Sequence, residues 1–179
     1  MGIQYSGKID QEKLMIAASD ASFADDITRR STQGFLIKLF GGPIVWQSTL
    51  QRTIVLSTAV AEIMALTSLG REIMSLRRLF ESIRFDPDCD SILLCDNQQT
   101  VGCNTKDHPQ LTTKMRHIDI HHLWLRQESK KGIMAVLWVP TNEQPADGFT
   151  KILGYQKHSD FVQKLGLCEL EYHEARGGE

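Results

Sequence analysis

The chain has 179 residues, 41% of them hydrophobic and 23% charged, with a formal net charge of −2. That length fits one domain able to bury an adequate core without staples, and the composition is ordinary for a soluble globular protein. The balance of charge argues against attachment to nucleic acid by bulk positive charge, though local basic patches beside a carboxylate cluster remain compatible with a nuclease. No apolar run is long enough to span a bilayer, and the N-terminus lacks the pattern of a signal peptide, so an intracellular protein without membrane attachment is expected. Four cysteines (Cys89, Cys95, Cys103 and Cys168) are scattered without a C-x-x-C pair, which points to reduced, structural thiols.

Residues 1–13 are polar and read as irregular. A strand is expected over Leu14–Asp20, where an apolar stretch runs into a carboxylate. Gly34–Phe40 and Ile44–Ser48 read as two strands joined by a turn at Gly41-Gly42, and Arg52–Leu56 as an extension of the second or a strand beside it. From Ser57 the periodicity becomes helical: Ala65, Leu66, Leu69, Ile73, Leu76 and Phe80 fall on one face, with Gly70 as a plausible break between two helices. Ile92–Cys95 is a short apolar strand running into Asp96. A helix follows over Ile118–Ser129 with Ile120, Leu123 and Trp124 inward, then a strand over Ile133–Val139 ended by Pro140. Glu143–Lys151 reads as the start of a helix, and Tyr155–Leu167 as a small docking helix. Early strands followed by βαβ alternation predict an α/β fold, a mixed sheet with helices on its faces.

Asp20 and Asp96 each end an apolar strand, and Asp147 lies just past the last one. Aspartates at strand ends are common turn formers, but if the strands are adjacent and parallel the carboxylates converge. Glu62, one turn inside the long helix, is either a solvated first-turn glutamate or a fourth member of the group. Converging carboxylates repel one another and stay ionised only beside a cation, and hard oxygen ligands suit Mg²⁺ or Mn²⁺. Two such ions about 4 Å apart activate a water and stabilise the leaving oxygen of a phosphodiester.

Six stretches occur in order: Ser19–Asp26 (SDASFADD), Arg29–Gly34 (RRSTQG), Ser57–Ala65 (STAVAEIMA), Asp96-Asn97, Arg116–Ile120 (RHIDI) and Val139–Lys151 (VPTNEQPADGFTK). This ordered set resembles the ribonuclease H domain of copia-type LTR retrotransposons, at the C-terminal part of the Pol polyprotein. The resemblance implies a ribonuclease H-like fold, a five-stranded mixed sheet with helices on both faces. It divides the chain into a remnant of the reverse-transcriptase connection (1–13), the ribonuclease H domain (14–153) and a polyprotein tail with a helix (154–179). It implies hydrolysis of the RNA strand of RNA–DNA hybrids during reverse transcription, with a reverse-transcriptase domain of the same polyprotein as partner and a cytoplasmic virus-like particle as location. Asp20, Glu62, Asp96 and Asp147 are then the catalytic carboxylates holding two Mg²⁺ or Mn²⁺ ions. Asp20 would bridge both ions, Asp147 would complete the site of the attacking water, and Glu62 and Asp96 the site beside the leaving oxygen. Glu62 would also accept a hydrogen bond from a ribose 2′-OH.

The chain departs from the family pattern at Val60, where the family has a glutamate. With Ser57 as N-cap, position 60 is N3, so the missing glutamate is expected to cost about 1 kcal/mol of helix-end stability rather than activity, and restoring it to raise thermal stability. Phe23 replaces a tryptophan, Ser22 an aspartate and Asp25 a glycine, and the loop before Asp147 lacks the histidine of the cellular enzymes. Substrate contacts are expected from Ser57 and Thr58 at a helix N-terminus, from Asn97, and from Arg29, Arg30, Lys114 and Arg116. Lys106, Arg126, Lys130 and Lys131 extend the basic stretch, which is either a path for the DNA strand or a solvated surface. His117, His121 and His122 have zinc-like spacing but no evident fourth ligand. The alternative function is a catalytically weak or inactive module of the same fold that binds nucleic acid or a reverse-transcriptase partner.

Overall fold

The structure is a computed structural model that describes residues 1–3, 5, 15–87, 90–105 and 116–169, with the backbone alone at positions 103, 105 and 116–118. Its elements are β1 (Gly2–Ile3), β2 (Met15–Ser22), β3 (Thr32–Leu39), β4 (Gly42–Leu50), α1 (Thr58–Ser82), β5 (Ile92–Cys95), α2 (Gln98–Thr105), α3 (Arg116–Lys130), β6 (Ala135–Trp138), α4 (Tyr155–Leu165) and β7 (Leu167–Cys168). Two single 3₁₀ turns, Thr141–Glu143 and Asp147–Phe149, lie between β6 and α4.

Five strands form one mixed sheet in the order β4-β3-β2-β5-β6, with β4, β3 and β2 antiparallel and β2, β5 and β6 parallel. The parallel pairs need crossovers, and the helices supply them. One face carries Met15, Ala17, Phe35, Ile37, Leu39, Leu93, Cys95 and Val136, all buried against Ile63, Leu66, Leu69, Ile73, Leu76 and Phe80 of α1 and Leu125 of α3. The other face is covered around Gly34 by the Asp147–Phe149 turn and behind it by α4. A Cβ on Gly34 would lie 2.4 Å from Phe149 Cβ, and Phe149 packs edge-on against Phe161 of α4 with ring centroids 5.2 Å apart.

Several expectations are corrected. The β3–β4 turn is Phe40-Gly41, since Leu39 pairs with Gly42. Phe40 (φ 53°) and Gly41 (φ 83°) both sit in the left-handed region that a two-residue hairpin requires. Arg52–Leu56 forms no strand. Gly70 does not break α1, which runs unbroken for 25 residues. There the glycine gives α3 room to approach, because a Cβ would stand 3.2 Å from Trp124 and 3.3 Å from Leu125. On α3, Trp124 packs against the core as expected, but Ile120 and Leu123 are exposed while His122 and Leu125 are buried, so the inward face is rotated from the expected one. The segment from Glu143 forms 3₁₀ turns rather than an α-helix, with Pro145 unable to donate a helical hydrogen bond.

Three elements have no counterpart in the sequence reading. α2 follows Asn97 directly, and β1 and β7 form a two-stranded antiparallel ladder, Gly2 opposite Cys168 and Ile3 opposite Leu167. The Tyr5 hydroxyl fixes this N-terminal stretch to the body by donating to the Pro43 carbonyl at 2.9 Å.

Candidate active site

The sheet order brings the carboxylates together. β2 and β5 are neighbours and parallel, with Ala18 opposite Leu94, so Asp20 within β2 and Asp96 just past β5, each two residues further along, lie at one level. α1 crosses β2 on its first turns. There Glu62 Oε1 accepts a 3.2 Å hydrogen bond from the Ala21 N–H, which ties the helix to the strand next to Asp20. Ligand atoms of Glu62, Cys95 and Asp96 lie within 4.8 Å of one another. Asp147 opens the second 3₁₀ turn, and Thr150 three residues on donates its hydroxyl to Asp20 Oδ2. Lys151 then pairs with Asp147 and stands 3.4 Å from Asp20 Oδ2.

The loop that carries Asp147 is fastened at several points. Buried Gln144 donates from Nε2 to the Ser19 carbonyl at 3.0 Å, and its Oε1 accepts from the Ala146 N–H at 3.4 Å. Thr141 donates to Asp96 Oδ2 at 2.8 Å, and the Trp138 indole N–H donates to the Asp96 carbonyl at 2.9 Å. The positions of Asp20, Asp96 and Asp147 are therefore coupled through the residues between β6 and α4.

Electrostatically the cluster is costly. Burial, then the neighbouring Asp20 and Asp96, pushes the Glu62 carboxyl up to about 9. Asp20 is raised as well, by burial first, against the lowering effects of Thr150 and Lys151. Glu62 Oε2 is buried and has no hydrogen-bond partner among the described residues. An orphaned oxygen among converging carboxylates is the environment a divalent cation relieves, and the donor set, hard oxygens, fits Mg²⁺ or Mn²⁺. Cys95 is the exception in chemistry. Burial, then Glu62, pushes its thiol strongly up, so it stays protonated beside the oxygens as an inert neighbour.

In sequence the chain is 35% identical over 150 residues to the retrovirus-related Pol polyprotein from transposon TNT 1-94 of Nicotiana tabacum, a match covering 83% of this chain and 11% of that polyprotein. The chain belongs to the copia-type retrotransposon Pol family. It spans about a tenth of the length of the Pol polyproteins it matches. No family model matches it. Among solved structures, the N-terminal RNase H domain of Rv2228c from Mycobacterium tuberculosis superposes with a TM-score of 0.56 at 11% identity, covering 83% of this chain and 96% of that one. LC11-RNase H1, solved in complex with an RNA/DNA hybrid, gives 0.54 at 14% identity, covering 75% and 92%. The fold of this Pol segment is thus ribonuclease H-like.

The remaining residues singled out in the sequence fall in different places. Ser57 and Thr58 are exposed at the start of α1, and Ser57 Oγ caps it by accepting from the Val60 N–H at 3.3 Å. The Val60 side chain is buried with Ala21, Val55, Ala61 and Ala65, so it is not a solvated capping position. Asn97 Oδ1 caps α2, accepting from the Thr100 N–H at 3.0 Å. Arg29 and Arg30 lie in the loop before β3, where Arg30 Nε donates to Thr28 at 2.9 Å. Asp25 in the same loop accepts from the Thr32 N–H at 2.9 Å and from its hydroxyl at 3.0 Å. Lys106 and Lys114 lie outside the described residues, as do the side chains of Arg116 and His117. Thr141, Gln144, Thr150 and Lys151 also belong to the site; all four lie in the Val139–Lys151 stretch, but their contacts with Ser19, Asp20 and Asp96 join residues distant in sequence.

Proposed function

We propose that this segment is a ribonuclease H that cleaves the RNA strand of RNA–DNA hybrids during reverse transcription of a retrotransposon, with Asp20, Glu62, Asp96 and Asp147 as its catalytic carboxylates. The observation that carries the proposal is that Asp20 of β2 and Asp96 just past the adjacent parallel β5 lie at one level beside Glu62 of α1, with the orphaned Glu62 oxygen among them and Asp147 joined to Asp20 through Lys151. The four carboxylates would hold two Mg²⁺ or Mn²⁺ ions. When bound, the ions would supply an activated water and neutralise charge on the leaving oxygen.

The chain's own groups have separate tasks. Thr150 and the Ala21 N–H orient Asp20 and Glu62, and Thr141 turns Asp96 toward the same point. Ser57 and Thr58 offer hydroxyls and backbone N–H groups at a helix N-terminus to a phosphate. Asn97, in the turn after Asp96 and with its Oδ1 capping α2, would offer its amide N–H to the substrate, and Arg29, Arg30, Lys114 and Arg116 would meet the backbone of the hybrid. Buried Glu62 is suited to accept from a ribose 2′-OH, the group that separates RNA from DNA. The partners under this proposal are the hybrid and a reverse-transcriptase domain of the same polyprotein, inside a cytoplasmic particle. Among the described residues no helix is long and apolar enough to cross a membrane.

A labelled RNA–DNA hybrid incubated with the chain and Mn²⁺ or Mg²⁺, beside Asp20→Asn and Glu62→Gln, tests this directly. Cleavage by the parent alone is expected. Equal cleavage by all three would refute the assignment, and none by the parent at high concentration would favour a module that only binds.

A further inference from the structure

The two sides of the carboxylate cluster differ in what neutralises them. Asp147 and Asp20 share the ammonium of Lys151, which donates to Asp147 Oδ1 and lies 3.4 Å from Asp20 Oδ2. Glu62 and Asp96 have no salt bridge among the described residues, and Glu62 keeps an orphaned oxygen. Lys151 is anchored by its backbone just past the second 3₁₀ turn, four residues after Asp147, yet its side chain is 38% exposed. A long flexible stem with a compact, strongly hydrated charge can leave such a position without moving the backbone.

We propose that Lys151 is a tethered counter-ion that competes with a divalent cation for Asp20 and Asp147, and so sets the cation concentration at which that side of the site fills. The inference rests on the reading that these carboxylates bind a divalent cation. Under it the cluster loads in two stages. The Glu62–Asp96 side, with no cation of its own, takes an ion first. The Asp20–Asp147 side fills only as Lys151 swings outward, and in the absence of metal the same lysine limits repulsion between the two aspartates. Because Lys151 acts on the cation through Asp20 and Asp147, it is a positioning residue rather than a catalytic one.

Titration calorimetry with Mn²⁺ on the 179-residue chain, without nucleic acid, separates the cases. Lys151→Met removes the charge and keeps the stem, and the weaker Mn²⁺ step should tighten by about fivefold to tenfold, as expected for loss of one partly screened ion pair. Lys151→Arg keeps the charge and should bind Mn²⁺ as weakly as the parent. Unchanged or weaker binding in Lys151→Met would overturn the inference, as would equal tightening in Lys151→Arg. Asp20→Asn distinguishes this failure from failure of the metal site itself. If the parent shows the weaker Mn²⁺ step and Asp20→Asn loses that step, the site stands, and an unchanged Lys151→Met then overturns the role of Lys151 alone. If the parent binds none, both fall.

Discussion

The two halves of α1 do opposite kinds of work. The C-terminal half buries Ile73, Leu76 and Phe80 in the main core, and Gly70 at the midpoint lies against α3. The N-terminal half also packs Ile63, Leu66 and Leu69 into that core, but it carries Glu62, a carboxylate 3% exposed, against two further carboxylates. The first arrangement is favourable packing, and the second costs stability in the absence of a cation. One continuous helix lets the packed half hold the strained half in place. A destabilised group persists where the surrounding structure over-determines it, and that combination marks functional sites.

The largest expected effect comes from relieving the strained half. Glu62→Gln should lower hybrid cleavage by about 10²–10³-fold or more, a typical size for removing one group that stabilises the transition state. The same change should raise the stability of the metal-free chain. Glu62 titrates near 4.5 when unfolded and about 9 when folded. Between those values the folded state holds an extra proton, so stability falls as pH rises through the window and levels off above it. Thermal unfolding in a chelator, followed across that window, should show a downward slope in the parent that is flatter in Glu62→Gln. A parent that gains stability with rising pH would show that Glu62 is not held protonated.

The packed half should respond in the opposite way. Ile73→Ala, at a side chain with no exposure, should cost about 2–5 kcal/mol in denaturant unfolding. Any loss of cleavage should follow only from the unfolded fraction. Smaller still is the effect at Gly70. A Cβ there meets Trp124 Cζ3, Leu125 Cδ2 and Met134 Sδ at 3.2–3.4 Å, all far ends of side chains. In Gly70→Ala the gain in helix propensity, about 1 kcal/mol, should roughly offset the crowding. Gly70→Val adds branches with no room and should cost about 1–3 kcal/mol. Equal stability of the two variants would mean that α3 does not pack closely at this point.

The contrast also explains what could be read from the sequence. Apolar periodicity located α1 and its core face, because burial of that face is a local pattern repeated over many residues. Asp96 follows the end of β5 as expected, whereas β2 continues two residues past Asp20 to Ser22; the condition for their convergence, adjacent parallel strands, is met by β2 and β5. Turn positions were less legible. Whether the hairpin turns at Phe40-Gly41 or Gly41-Gly42 depends on pairing with β3 and on the Tyr5 ring over Gly42, which are contacts distant in sequence. The face of α3 was misjudged for a related reason. Ile120 and Leu123 are apolar, but the approach to Gly70 selects Leu125, and an exposed leucine carries little information by itself. Lys151 and Thr150 could not be assigned from spacing, since their contact with Asp20 joins residues 130 or more positions apart.

The smallest expected effect tests which residue of the helix start carries the carboxylate. A glutamate at position 60 can close a capping box with Ser57, a gain of about 0.5–1 kcal/mol. Taken alone, that gain predicts a more stable variant. Val60, however, is 5% exposed and packed against Ala21, Val55, Ala61 and Ala65, so replacing it forfeits about 1.5–2 kcal/mol of burial. The other half of the box is already made, because Ser57 Oγ accepts from the Val60 N–H, so a glutamate would add only an acceptor for the Ser57 N–H. Val60→Glu should therefore lower stability by about 1 kcal/mol, a fall of about 2–4 °C in Tm, and leave the cleavage rate of the folded protein unchanged. A rise in rate would assign the functional carboxylate to position 60. A fall in Tm without one would leave Glu62 as the only glutamate on α1 facing both Asp20 and Asp96.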